Sequence, residues 1–327
     1  MPVPPAGRVD QRMIDFSFSP PAMQREIEQA IELLHKNGSD GLAESLSLLQ
    51  QTVYSFSMKV CGHREDAEDT AQEVLLKAIP YLPRFESPRA LGVWLYKVAK
   101  NRCLMSRRKS KFAPARMLSL EELMPTREEL ETITTAPEKT PEASLLENER
   151  SDILLDAIRK LPPNYRLVLV LHDMEDVPTA EVANILSLQE GTVRVRLHRA
   201  RLFVRKELAK AAASRARRPR GSRPPGAKRC KALLAALSDY LEGTPDESVR
   251  RRLEEHLDGC PPCKSVLKSL ERVVKDCRDC PSIQLRSDVA SRLRAKLLEE
   301  CRKYDLAGKS AAVGSAAHRA SGAQQRV

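Results

Sequence analysis

Apolar residues recur every three or four positions over most of this chain, the spacing of one face of an α-helix. From Met23, the residues Ile27, Ala30, Ile31 and Leu34 share a face, and Asn37-Gly38 is expected to end that helix. A second helix is predicted from about Leu42 to Cys61, with Leu46, Leu49, Val53, Phe56 and Val60 inward and Gly62 closing it. A third covers Asp66 to Tyr81 and buries Ala67, Ala71, Val74, Leu75 and Ala78, until Pro83 forces a break. Ser87-Pro88 opens a fourth, roughly Ala90 to Lys111, with Leu91, Trp94, Leu95 and Val98 apolar. Pro114, Pro125, Pro137 and Pro141 then punctuate an acidic, Thr-rich stretch that suits a linker with room for short helices.

Helical periodicity returns over 145–212. Between Ser214 and Lys231 lie eight Arg and Lys, no acid, and several Pro and Gly, which cannot build a core. The expected organisation is a disordered start (1–22), a helical module (23–112), a linker (113–144), a second module (145–212), a basic linker (213–228), a small helical unit (229–276) and a tail (277–327), mostly disordered at its end. Abundant Ala, Leu, Glu, Arg and Lys with few aromatics point to an all-α fold.

The formal net charge of +11 suits a polyanionic partner such as nucleic acid, although a solvated basic surface has the same composition. No leader-like apolar segment opens the sequence and no run approaches the roughly 20 apolar residues of a membrane span. A cytoplasmic protein with no membrane partner is expected. There, structural disulfides are not expected among the eight Cys.

Residues 178–208 hold two short helices around a tight turn. Thr179 can cap the first, and Ser187-Leu188-Gln189-Glu190 has the capping-box arrangement for the second. At 100° per residue, Val193, Leu197, Ala200 and Val204 form one stripe. Val195, His198 and Arg199 face the other way, flanked by Arg194 and Arg196. That describes a helix-turn-helix whose second helix enters the DNA major groove, with an ordinary charged helical hairpin as the alternative.

Leu161-Pro162, Arg166, Glu181-Val182-Ala183, Gly191-Thr192-Val193-Arg194 and Arg199-Ala200-Arg201 together resemble region 4 of the extracytoplasmic-function (ECF) sigma factors. That resemblance implies reading of the −35 promoter element by Thr192, Arg194, Val195, Arg196, His198 and Arg199. Val195 replaces the small polar residue usual in the family. Asp66-Ala67-Glu68-Asp69-Thr70-Ala71-Gln72-Glu73-Val74 resembles the region 2 helix. In the family it docks on a coiled coil of the polymerase β′ subunit, here through Asp66, Asp69, Gln72 and Glu73. The next block, with Trp94-Leu95 and Asn101-Arg102 in register, resembles the part that opens the −10 element. Ser87, Arg89, Lys97, Lys100, Asn101, Arg107 and Arg108 are its expected contacts to melted DNA, and the loop Phe85 to Arg89 its base-capturing segment.

Six cysteines lie after residue 229. His256, Cys260 and Cys263, in His-x3-Cys-x2-Cys spacing, place three soft ligands around one point, as tetrahedral zinc requires. The layout resembles a zinc-binding anti-sigma domain, which implies Cys230 as fourth ligand. Cys277 and Cys280 could compete as a ligand pair, and Cys-Pro-Pro-Cys could be a redox dithiol. The expected whole is a sigma factor, not an enzyme. It would bind core RNA polymerase (β′ and β subunits) and promoter DNA, with the zinc module able to contact the sigma modules in cis. A helix-turn-helix regulator that never joins polymerase is the alternative.

Overall fold

The computed structural model describes residues 22–108, 118–123, 143–213, 236–242 and 246–303. Every regular element among them is helical. The first, α1 (Ala22–Cys61), is assigned as helix throughout, so the predicted stop at Asn37-Gly38 does not interrupt it. It is not straight, however. Ser45 Oγ donates to the carbonyl of Ala30 at 2.8 Å, whereas fifteen residues of straight helix rise about 22 Å. The chain therefore doubles back between these residues.

α2 (Arg64–Ala78) and α3 (Pro88–Arg108) pack against the long arm of α1. Leu46, Leu49, Val53, Phe56, Val74, Leu75, Leu91 and Leu95 are all essentially buried; each contributes roughly 1.5–3 kcal/mol by leaving water. A short α4 (Leu120–Leu123) stands where short helices were expected. The cysteine expectation fails at one place: Cys61 at the end of α1 is bonded to Cys103 on α3.

The second bundle comprises α5 (Ala143–Lys160), α6 (Pro163–Leu169), α7 (Thr179–Leu186) and α8 (Glu190–Ala213). A π-helical turn, Val170–Met174, follows α6, and Asp176 beyond it has φ 53°. The capping expectations are overturned. α7 begins after Pro178 with no side-chain cap, and Thr179 Oγ1 donates instead to Glu242 at 3.4 Å. Ser187 is the left-handed residue (φ 56°) that ends α7, and α8 starts only at Glu190, too late for Ser187 to be its N-cap.

α9 (Leu237–Leu241), α10 (Glu247–Gly259) and α11 (Pro261–Arg278) form the small unit. α11 runs two residues past the expected end at 276, and the chain continues through a stretch without regular structure into a further helix, α12 (287–303). Val289, Leu293, Leu297 and Cys301 recur every four residues and are buried. The apolar core that starts in α1 includes Leu293, Leu297 and Cys301. Residues 1–21, most of both linkers, Cys230 and the tail after 303 lie outside the described residues. Among the described residues no helix is long and apolar enough to cross a membrane.

Candidate functional site

Four surfaces carry the predicted chemistry. In the helix-turn-helix, Val193, Leu197, Ala200 and Val204 are fully buried on one side of α8. Val195, 51% exposed, marks the open outer face near its N-terminus. Thr192, Arg194, Arg196 and Arg199 are part-exposed around it, and Arg194 reaches back to Glu190 at 3.4 Å. His198 does not join them. It is 5% exposed, on the face it shares with buried Arg201 and Arg205, three and seven residues on. Burial, then the charges of Arg201 and Arg199, lower its pKa to about 4. A neutral, enclosed imidazole has no open path to a base edge. The 100° wheel placed it outward because it treated the far side of α8 as solvent, whereas α9 and α11 pack on this helix.

Those packing contacts converge on Arg201. It donates to Asp173 (2.6 and 2.8 Å) and to Glu242 beside α9 (3.2 Å). Burial alone would raise the Asp173 carboxyl; the adjacent guanidinium overrides this and holds it well below the usual carboxylate range. Arg150 on α5 adds a paired contact to Asp276 on α11, at 2.7 and 3.1 Å.

Ser87, just before α3, and Asn101 on it are exposed, while the side chains of Arg107 and Arg108 lie outside the described residues. Arg89 is exposed and Lys97 and Lys100 are part-exposed, but each is already engaged by a residue of the second bundle. Arg89 pairs with Glu181, Lys97 donates to Asn184 at 3.0 Å, and Lys100 to the carbonyl of Ile185 at 2.8 Å, all on α7. A cleft between the two modules is lined by Phe85, Val93, Trp94, Glu181 and Asn184. Trp94 packs there against Tyr81 and Phe85.

The same seam holds a buried charge pair that the sequence did not announce. Lys59 Nζ and Glu175 Oε1 are 2.9 Å apart with side chains 6% and 4% exposed, and Tyr96 approaches the other carboxylate oxygen at 3.5 Å. Burial pulls the Lys59 pKa down, but Glu175 outweighs it and leaves the ammonium raised above its ordinary value. Beside it, buried Arg166 donates to the Val60 carbonyl at 2.9 Å, so the last turn of α1 is a seat for the second bundle.

On α2, Asp66, Gln72 and Glu73 are part-exposed and Asp69 exposed. Glu73 is held by Lys77 (2.7 Å) and Arg102 (2.8 Å), and the Lys77 hydrogen bond leads in lowering its pKa. Gln72 accepts from Lys296 of α12 at 2.9 Å. The stretch before α12 is gripped by α1: Gln51 pairs with the carbonyl of Ile283 and the amide of Leu285, at 2.8 and 2.9 Å, and Ser55 accepts from the Ile283 amide at 3.0 Å. The sequence did carry a signal for α12, the four-residue spacing of Val289, Leu293, Leu297 and Cys301.

In the small unit, ligand atoms of His256, Cys260 and Cys263 all lie within 4.8 Å of one another, with His256 Nε2 and Cys263 Sγ 3.2 Å apart. Tetrahedral zinc holds such atoms about 3.5–3.8 Å apart, given its bond lengths. The three residues therefore fit three corners of such a site. Cys277 and Cys280 are not part of this group. Cys277 is buried, and burial, then the Asp173 charge, push its thiol well up.

Comparison with known proteins matches residues 47–112 to "Sigma-70 region 2", 151–204 to "Sigma-70, region 4" and 230–264 to "Putative zinc-finger". The ECF RNA polymerase sigma factor SigW of Bacillus subtilis is 30% identical over 189 residues, covering 57% of this chain and 98% of the relative. This chain belongs to the ECF RNA polymerase sigma factors. RNA polymerase sigma factor YlaC of the same organism is 27% identical, covering 52% of this chain and 94% of the relative. SigE of Mycolicibacterium smegmatis is 30% identical, covering 48% and 58%. An ECF sigma factor directs RNA polymerase to promoters and is an initiation factor. The match at residues 47–112 sets a region 2 beside the helix-turn-helix of region 4, as a sigma factor has. In this ECF sigma factor, then, α7 of the region 4 module sits on the basic face of the region 2 module.

Proposed function

We propose that this sigma factor exists in a closed form, in which its own C-terminal residues restrain initiation until they are displaced. The contact of Lys296 with Gln72 carries the reading. Gln72 stands on the face of α2 that resembles the family's β′-docking surface, and α12 lies along that helix. Arg89, Lys97 and Lys100, proposed to bind melted −10 DNA with Ser87, Asn101, Arg107 and Arg108, are engaged by α7. On α8 the outer group of Thr192, Arg194, Val195, Arg196 and Arg199 is proposed to read the −35 element, without His198. Asp66, Asp69, Gln72 and Glu73 are proposed to meet the β′ subunit. The site of action is the cytoplasm, where polymerase and promoter DNA are.

His256, Cys260 and Cys263 would hold zinc, with Cys230 as the proposed fourth ligand. The metal would supply a structural staple for a unit too short to hold a large core of its own. Regions 23–112 and 145–212 act as the two sigma modules. A short tether keeps the inhibitory segment at high effective concentration, so individually modest contacts suffice. The test is run-off transcription with bacterial core polymerase, comparing the full chain with one ending at Ala213. Higher specific initiation from the shorter chain is expected, and equal activity would refute restraint in cis.

A further inference from the structure

Cys61 and Cys103 are the only two cysteines of the chain before residue 229, and neither the zinc site nor the promoter surfaces use them. They are 1% and 2% exposed. Cys61 ends α1 and Cys103 sits on α3, with Cα atoms 5.6 Å apart, inside the range a disulfide spans without moving backbone. Thr70 of α2 places its hydroxyl 3.8 Å from each sulfur. One point in the core thus joins all three helices of region 2.

The two cross-linked helices also provide region 2's contacts to region 4. Lys59 and Val60, just before Cys61, hold Glu175 and Arg166. Tyr96, Lys97 and Lys100, within two turns of Cys103, hold Glu175, Asn184 and the Ile185 carbonyl. The relative placement of α1 and α3 sets whether both groups of contacts can be made together. In a reducing compartment a cysteine pair is ordinarily unbonded, and a pair that does close there is ordinarily a sensing one.

We infer that Cys61 and Cys103 form a redox-responsive cross-link beneath the seam between the two sigma modules, and that the bonded state favours the closed form. The chemistry is thiol–disulfide exchange with a low-molecular-weight disulfide as oxidant. One protein thiolate attacks it and releases one small thiol. The second protein thiolate then displaces the other small thiol. Two protons leave the cysteines, the protein loses two electrons, and the small disulfide becomes two thiols. Because both sulfurs are enclosed, exchange takes place when region 2 opens or as it folds. The link itself stands on the cysteine geometry alone; its effect on closure rests on the closed form proposed above.

Full-length, zinc-loaded protein would be equilibrated in glutathione buffers from reducing to oxidising, acid-quenched, alkylated in denaturant and mapped by mass spectrometry. A linked Cys61–Cys103 peptide that appears with oxidation and disappears on reduction is expected. Alkylation of both cysteines at every poise would overturn the proposal. The bonded form should also melt about 5–15 °C higher, a difference lost in C61A/C103A. A difference that survives in that variant would assign the response to other cysteines and overturn it. Trp94, the sole tryptophan, lines the seam and reports closure: acrylamide should quench it severalfold less in the bonded form. Equal quenching in both forms would overturn the coupling to closure while run-off transcription still judged the cis restraint separately.

Discussion

Glu175→Gln isolates the force that holds the modules together. In the closed form Lys59 and Glu175 are nearly dry, 2.9 Å apart. Removing one partner of such a pair strands the other charge and costs about 3–5 kcal/mol. Glu26 lies near enough to Glu175 to feel its charge, so some compensation is expected, and the lower end applies. About 3 kcal/mol is a shift of roughly 150-fold toward the open form, since the separated residues are solvated there and lose nothing. Stern–Volmer quenching of Trp94 by acrylamide measures this directly, because opening removes Glu181 and Asn184 from the cleft it lines. K59M alone should open the seam as well, and the K59M/E175L double variant should recover much of the loss, since an apolar replacement of both partners strands no charge. Quenching of E175Q within experimental scatter of the wild type, or simple additivity in the double variant, would refute the assignment of the pair as the latch.

Two further outcomes follow from the site. His198 has its pKa lowered to about 4, against about 6.5 when unfolded, so the unfolded chain binds the proton first as pH falls. Stability should be unaffected above about pH 6.5 and decline towards pH 4 by up to about 3 kcal/mol; the Asp173 contribution is lost only below the ordinary carboxylate range. Urea melts at pH 5 and 7.5 should show a smaller difference in His198→Gln, and an unchanged slope would place the acid sensitivity elsewhere. Zinc should be present at one equivalent per chain by elemental analysis, and chelation should raise both Trp94 quenching and run-off initiation. A chain that loses the metal without either change would confine zinc to a local structural role.

Both sigma modules were legible because their helices obey local rules: a buried stripe such as Val193, Leu197, Ala200 and Val204 is dictated by spacing alone. The metal ligands were legible for the same reason, since His256 and Cys260 are one helical turn apart. What could not be read were partners distant in sequence. Lys59 with Glu175 and Arg201 with Glu242 join residues 116 and 41 positions apart, and no local pattern pairs them. His198 was misplaced because a helical wheel knows which side of a helix is apolar but not how many neighbours cover it. α12 was missed for a different reason: its apolar spacing was present but lay in a segment read as a tail, mostly disordered at its end.

The bond from Lys296 to Gln72 spans 224 positions of sequence. Both sigma modules are complete once residue 213 has been made, whereas α12 ends at 303. At about 5–20 residues per second, those intervening residues take about 5–20 s to synthesise, and several more must follow before α12 clears the ribosome. Under the proposed restraint, each newly made molecule passes through an interval in which the α2 face that carries Gln72 has folded while α12, which contacts it, is still being translated. Such restraint would have a birth time, set by the seconds between completion of region 4 and emergence of α12.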